Sequence, residues 1–215
     1  MKSIVKLLLI AFVGLLTSST YAQDSGFTLK FGVNFNTISG DNAPSVAKTN
    51  LGAHLGLAYE ISINKNFGIE PALMLDSRGF KFEAKEKLFG FNFSGELKTN
   101  IYYLNIPVNL KVKLPINDSS RFFITAGPYI GFGLKGTIEG EIDVPLIGKR
   151  SESIDIEFGN KDREFGQFAY GVSFGGGFEL RRFMLGASYD LGLSEVAKDS
   201  KIHFNAVKIS IGFRT

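Results

Sequence analysis

The sequence predicts an all-β protein: an eight-stranded antiparallel up-and-down transmembrane β-barrel, preceded by a cleaved signal peptide. Three observations carry this reading. Apolar and polar residues alternate by twos over segments longer than the roughly five to six residues of a typical soluble strand. The connections alternate long and short along the chain, as a barrel with short periplasmic turns and long outer loops requires. The composition holds 25 glycines, 21 phenylalanines and seven tyrosines, which suits aromatic outer bands around a crowded interior. Alternation alone fits a soluble sandwich equally well, with the apolar face buried rather than lipid-facing. A sandwich has no reason to sort its loops by parity.

Residues 1–22 form the predicted leader, and residues 23–215 the barrel domain. Lys2 and Lys6 make a positive start, Leu7 to Leu16 is an apolar run, and Thr20-Tyr21-Ala22 places small residues for cleavage between Ala22 and Gln23. The apolar run is short of the about 20 residues a spanning helix needs. The leader's lysines supply two of the three units of formal net charge, +3. No basic patch marks a nucleic-acid partner. With no cysteine, disulfides are excluded.

Phe27, Leu29, Phe31, Val33 and Phe35 form the outer face of the first strand, against Thr28, Lys30, Gly32, Asn34 and Asn36. A polar loop, Ser39–Lys48, precedes the second strand, whose face Leu51 to Ile61 opposes Gly52, His54 and Glu60. The turn Ile63–Asn66 leads to the third, with Phe67 to Leu75 on odd positions and Glu70 and Asp76 opposite. Near Ser77 to Gly79 the apolar phase moves to Phe80 and Phe82, which predicts a one-residue bulge. Pro71 lacks an N–H for the ladder and predicts a local irregularity. Phe82–Lys98 is the next outer loop, read as an extension of two strands above the membrane. The fourth strand carries Tyr102 to Val112 outward and Asn105, Lys111 and Lys113 inward. The turn Pro115–Ser120 precedes the fifth, Phe122 to Leu134. Gly136–Glu164 is the longest connection, and its isoleucines suggest a small hairpin. Two long strands, Phe168 to Leu193, then join through an Arg181-Arg182 turn on the periplasmic side. Ser194–Lys201 is the last loop, and Val207 to Phe213 the outer face of the last strand.

The segments FGVNFNTISG (Phe31 to Gly40), EPALMLDSRG (Glu70 to Gly79), YLNIPVNLKVKL (Tyr103 to Leu114), GPYIGFGL (Gly127 to Leu134) and GASYDLGL (Gly186 to Leu193) follow one another in the order and spacing of the PorT-like outer-membrane β-barrel family, which the chain resembles from Phe27 to Phe213. The resemblance implies an eight-stranded barrel in the outer membrane of a Gram-negative bacterium. It implies a kinship with a component of protease secretion and maturation, and no assigned activity. One departure is the ending: Phe213 is followed by Arg214 and Thr215, whereas such barrels usually end on an aromatic assembly signal.

The predicted lumen gathers Lys30, Glu60, Glu70, Asp76, Lys111, Lys113, Glu179, Asp190, Lys208 and Arg214. Both signs are nearly balanced. An eight-stranded barrel leaves room only for its own side chains, and buried charges need partners. A self-neutralising plug is therefore expected, with a narrow pore or small-ligand carrier as the alternative. His54 lies about 20 Å from Glu60 along its strand at ~3.3 Å per residue, too far for a catalytic pair. His203 reads as part of a solvated loop. No enzyme, cofactor or metal site is predicted, and Gly175-Gly176-Gly177 reads as room in the wall rather than as a phosphate loop. The expected partners are outer-membrane lipid, the barrel-insertion machinery and an envelope or secretion protein bound by the outer loops.

Overall fold

A computed structural model describes residues 25–41, 47–88, 91–144, 148–156, 158, 166–197 and 200–215, with side chains except at 84–94 and 143–149. The predicted leader, with its Ala22–Gln23 cleavage point, lies outside the described residues. The strands are β1 (Gly26–Ser39), β2 (Ala47–Lys48), β3 (Asn50–Ser62), β4 (Phe67–Leu88), β5 (Phe91–Asn117), β6 (Ser120–Val144), β7 (Gly148–Ile156), β8 (Phe168–Leu180), β9 (Phe183–Glu195) and β10 (His203–Arg214). Eight of them close an antiparallel ring, β1-β3-β4-β5-β6-β8-β9-β10, with β10 pairing back onto β1. The registers keep like with like: Phe31 sits opposite both Leu55 and Ile211, and Lys30 opposite Gly56 and Gly212. Leu29, Phe31, Leu55, Leu75, Leu110, Ile124, Phe174, Leu185 and Ile209 are exposed on the outer wall, and the residues between them point inward. That inversion of the soluble pattern is what lipid outside and polar groups inside demand.

The three short connections are Ile63 to Asn66, Asp118-Ser119 and Arg181-Arg182, and they lie at the end of the ring where β1 begins and β10 ends. At the opposite end β4, β5 and β6 outlast the ring. Their 22, 27 and 25 residues compare with 13 in β3, β8 and β9. The nine residues from Phe80 to Leu88 alone carry β4 about 30 Å further at ~3.3 Å per residue. β7 pairs with this part of β6, and β2 with β4, so a sheet ordered β2-β4-β5-β6-β7 projects from the barrel. Phe82–Lys98 is thus the extension of two strands expected of it, whereas Gly136–Glu164, expected as a connection, is strand over Gly136–Val144 and Gly148–Ile156. The second does hold a hairpin, but its first arm is an unbroken continuation of β6.

The expected bulge at Ser77 to Gly79 is absent. β4 runs through with constant register against β5, and Phe80 keeps the inward parity of Asp76 and Arg78. What changes there is the surroundings, not the backbone. Above the ring the two faces of the sheet exchange character. Rows across β4, β5, β6 and β7 read Phe80, Thr99, Ile138, Ile154 and Phe82, Leu97, Gly140, Glu152 on the lumen-continuous face. They read Lys81, Lys98, Glu139, Ser153 and Glu83, Glu96, Glu141, Ser151 on the outer face. An outer face that has left lipid meets water, so it becomes charged. The one-residue slip occurs instead in β6, where Tyr102 and Tyr103 pair with Lys135 and Gly133 and Leu134 is extra. It moves the outward parity of β6 from even to odd positions.

Pro71 and Pro107 interrupt the ladders beside them without shifting register. Missing N–H donors explain the gaps. The lumen is closed at the extension end by a packed apolar layer of Ile101, Tyr103, Ala169, Val196 and Phe204, flanked by Ile38, Phe80, Ile156, Phe158 and Ile202.

Candidate functional site

All ten charged residues singled out from sequence parity point into the barrel, where they join two ion-pair networks. The one nearer the short turns centres on Lys111, itself 1% exposed. Its ammonium donates to Glu60 at 3.0 Å, to Glu70 at 3.2 Å and to Glu179. Lys113 donates to Glu60 and to Ser62, Lys30 pairs with Glu70, and Arg214 lies 3.4 Å from Glu60 and 3.8 Å from Glu179. Adjacent strands supply these partners: β3 gives Glu60, β4 Glu70 and β5 the two lysines. Lys111 also sits 4.8 Å from the centre of the Phe123 ring. Gly177 makes space for that ring, since a Cβ there would lie 2.9 Å from its tip and 2.1 Å from the Leu185 carbonyl oxygen.

The second network lies higher. Lys208 bridges Asp76 and Asp190, both at 2.8 Å. Arg78 reaches Asp190 at 3.1 Å and Asp76 at 3.7 Å, donates to the Tyr129 hydroxyl at 3.1 Å, and stacks 4.7 Å from the Tyr129 ring and 5.7 Å from that of Tyr103. Asn105 donates to Asp76 at 2.8 Å. Here two cations meet two anions, whereas the lower network holds Lys30, Lys111, Lys113 and Arg214 against Glu60, Glu70 and Glu179. Charges removed from water are tolerable only with this density of partners.

His54 is buried and sits in the lumen, as its parity requires. Glu60 is not its partner. One ring nitrogen lies 2.6 Å from Asn34 Oδ1 and the other 2.9 Å from Ser210 Oγ. A cavity of ≈ 80 Å³, lined among others by Lys30, His54, Asn105, Asp190, Lys208 and Ser210, adjoins this chain of contacts. His203 opens β10 and contacts the Ser194 carbonyl at 3.0 Å, away from the lumen networks. No group of three His, Cys, Asp or Glu suited to a metal occurs among the described residues.

Sequence parity did not single out Arg78, Tyr103, Tyr129, Asn34 or Ser210 as functional. Arg78 had a usable signal, being two residues from Asp76 and in phase with it. On the projecting sheet Glu83 accepts from Lys48 at 2.5 Å and from Lys81 at 2.9 Å, and Lys81 also reaches Glu96 at 2.8 Å. The hydrogen bonds from Lys48 and Lys81 hold the Glu83 carboxyl down at about 2. Those to Glu96 and Glu83 raise Lys81.

A closed ring with an apolar belt, a charged interior and a water-facing extension defines an integral outer-membrane barrel protein. A family model described as "Outer membrane protein beta-barrel domain" matches residues 21–198, and the chain belongs to that family. It is a protein of the outer membrane. Among solved structures it is similar to Ail, the attachment invasion locus protein of Yersinia pestis, crystallised with the heparin analogue sucrose octasulfate. That match has 16% identity and a TM-score of 0.41 over 90% of this chain and 100% of the other. Neisserial surface protein A matches with 10% identity and a TM-score of 0.45 over the same shares. No curated protein matches the chain.

Proposed function

We propose that the protein is a non-enzymatic, PorT-like barrel that holds an envelope or secretion partner on its projecting sheet. The carrying observation is the state of that sheet. β7 pairs only with β6 among the described residues, leaving nine residues of strand edge. The adjoining lumen-continuous face exposes Leu97, Ile142 and Ile154, the last two at 60% and 66%. A free strand edge beside apolar side chains is the arrangement to which an extended segment of another protein adds. Lipid around the wall and the insertion machinery during assembly are the other partners such a barrel needs. The test is a photo-crosslinker at Ile154 in living cells. One defined envelope or secretion protein should be captured, and Ile142→Lys should abolish the adduct. Absence of any specific adduct would remove the reading.

The pore alternative needs a lumen that conducts. Two cross-linked networks and an apolar layer fill this one, so planar bilayers should show no steady channels. Channels altered by Lys111→Met or Glu179→Gln would overturn the plug. One observation favours a hydrolase: Asn34, His54 and Ser210 stand in the order of orienting group, base and hydroxyl. The cavity beside them has room for a few waters rather than an ester, so the contacts are read as satisfying buried polar groups. Labelling of the folded barrel by a fluorophosphonate probe, lost in Ser210→Ala, would reinstate the enzyme.

A further inference from the structure

The β8–β9 hairpin turns in two residues, both arginine, with Leu180 paired to Phe183 on either side. Arg181 has φ 53°, in the left-handed region. Two-residue hairpin turns place Gly, Asn or Asp at such positions, because a Cβ crowds the following carbonyl oxygen there and only Asn and Asp offset it with a local hydrogen bond. The chain therefore keeps a guanidinium where a smaller residue would fold more easily. The turn is also held fast. Arg181 N donates to the Ser119 carbonyl at 2.8 Å, and Arg214 N donates to the Arg182 carbonyl at 2.7 Å, tying the turn to its neighbours on both sides. Both arginines are exposed, and no side-chain partner for either occurs among the described residues. Asp118 is the acid on the adjacent turn. Glu179 below is engaged by Lys111 and Arg214.

Immediately beside the arginines the wall is apolar. Leu180, Phe183 and Phe213 are exposed, and with Asn117, Ser119 and Ser120 they line a groove that ends at Arg181 and Arg182. The rings of Phe183 and Phe213 meet edge to face, 5.6 Å apart, and floor it. Paired guanidinium groups match a phosphate in charge and in donor geometry. Leu180, Phe183 and Phe213 share one level of the rim, and below them Phe178, Leu185 and Ile211 continue the exposed apolar wall into the lipid belt, which matches an acyl chain. We propose that Arg181 and Arg182 form the headgroup site for an anionic phospholipid of the leaflet at the short-turn rim, with an acyl chain running from Leu180 and Phe183 down past Phe178 and Leu185. A free phosphate would use the arginines without the groove.

The test uses the full barrel in detergent and native mass spectrometry with added phosphatidylglycerol or phosphatidylcholine. The wild type should retain phosphatidylglycerol about thirtyfold over phosphatidylcholine, the preference expected for two basic residues at a membrane surface. The variant Arg181→Gly/Arg182→Asn puts glycine at the left-handed position, so the barrel should remain folded by circular dichroism while the preference disappears. Phe183→Ala should weaken phosphatidylglycerol without affecting capture of soluble glycerol phosphate. Equal retention of the two lipids by the wild type, or an undiminished preference in the double variant, would overturn the site. Displacement of the lipid by millimolar glycerol phosphate alone would reassign it to a free phosphate.

Discussion

Replacing Lys111 by Met removes the centre of the lower network and keeps most of the side chain's volume. The ammonium meets Glu60, Glu70 and Glu179, in a place where Lys111 is 1% exposed. Breaking a buried ion pair by deleting one partner typically costs 3–5 kcal/mol. No carboxylate is left alone in this case: Glu60 keeps Lys113 and Arg214, Glu70 keeps Lys30, and Glu179 keeps Arg214. The cost should therefore fall at the lower end, about 3 kcal/mol, set by mutual repulsion of three acids around an uncharged chain. The protein has no tryptophan, so urea unfolding in detergent is followed by circular dichroism. Adding Glu179→Gln to Lys111→Met removes one of the repelling charges while Arg214 keeps Glu60, and should recover about 1 kcal/mol or more, a coupling expected of residues in one network. A loss below about 1 kcal/mol for Lys111→Met would mean that water screens these charges as it does at a surface. That result would refute the plug and favour a hydrated path.

Phe174→Lys places a charge on the lipid face midway along β8 and should cost about 2–4 kcal/mol in the same unfolding assay. Ser173→Ala and Ser188→Ala, on the inner face, should stay within about 0.5 kcal/mol. Gly32→Ala should unfold more readily, because its Cβ would lie 1.9 Å from the Ile209 carbonyl oxygen and 2.7 Å from the His54 ring, and the backbone oxygen cannot swing aside. Carboxyl-carbon NMR should show Glu83 titrating at about 2 against an ordinary 4.5, and Lys48→Met should move it upward. The folded value is depressed, so the links from Glu83 to Lys48 and Lys81 are fully present above pH 4.5. They are lost as pH falls through about 2.

The ring was legible because parity is a local property of the chain. Each of its eight strands announces an outer and an inner face, and the inner charges follow directly from the count. Contacts among them were not legible, since Arg78 meets Asp190 from 112 residues away and His54 meets Ser210 from 156. Two strand registers must be known before such pairs can be drawn. The instructive error lies at Ser77 to Gly79. The change of apolar phase there marks a change of solvent and not of backbone, because the strand passes from lipid into water with its register unchanged. Phe80 faces inward with Asp76 and Arg78, yet it packs on Phe204 with ring centres 6.1 Å apart, because the layer above the charges is apolar. Periodicity reports which residues share a face. It does not report which solvent that face meets.

Where the phase changes also bears on where recognition can occur. Below Phe80 the interior is cross-linked by Lys111, Lys208 and Arg78, and a ligand entering there would have to strand several charges at once. At the level of Ile101 and Phe204 a packed apolar cluster lies across the lumen, with Asn36, Asn50 and Thr99 buried beside it. Above that level the same strands carry an apolar inner face and a paired, charged outer face, and β7 presents an edge. An exposed edge invites unwanted pairing, and proteins usually blunt it with charge, proline or a covering segment. β7 has Arg150, Glu152 and Asp155 for that purpose, but Ile154 stands among them at 66% exposure. Charges that discourage indiscriminate pairing beside an apolar anchor suit a selective strand-binding site better than a merely protected edge. That balance favours a partner of matching charge pattern over general aggregation. Reversing it with Glu152→Arg should weaken the specific adduct at Ile154 while the barrel's unfolding midpoint stays unchanged.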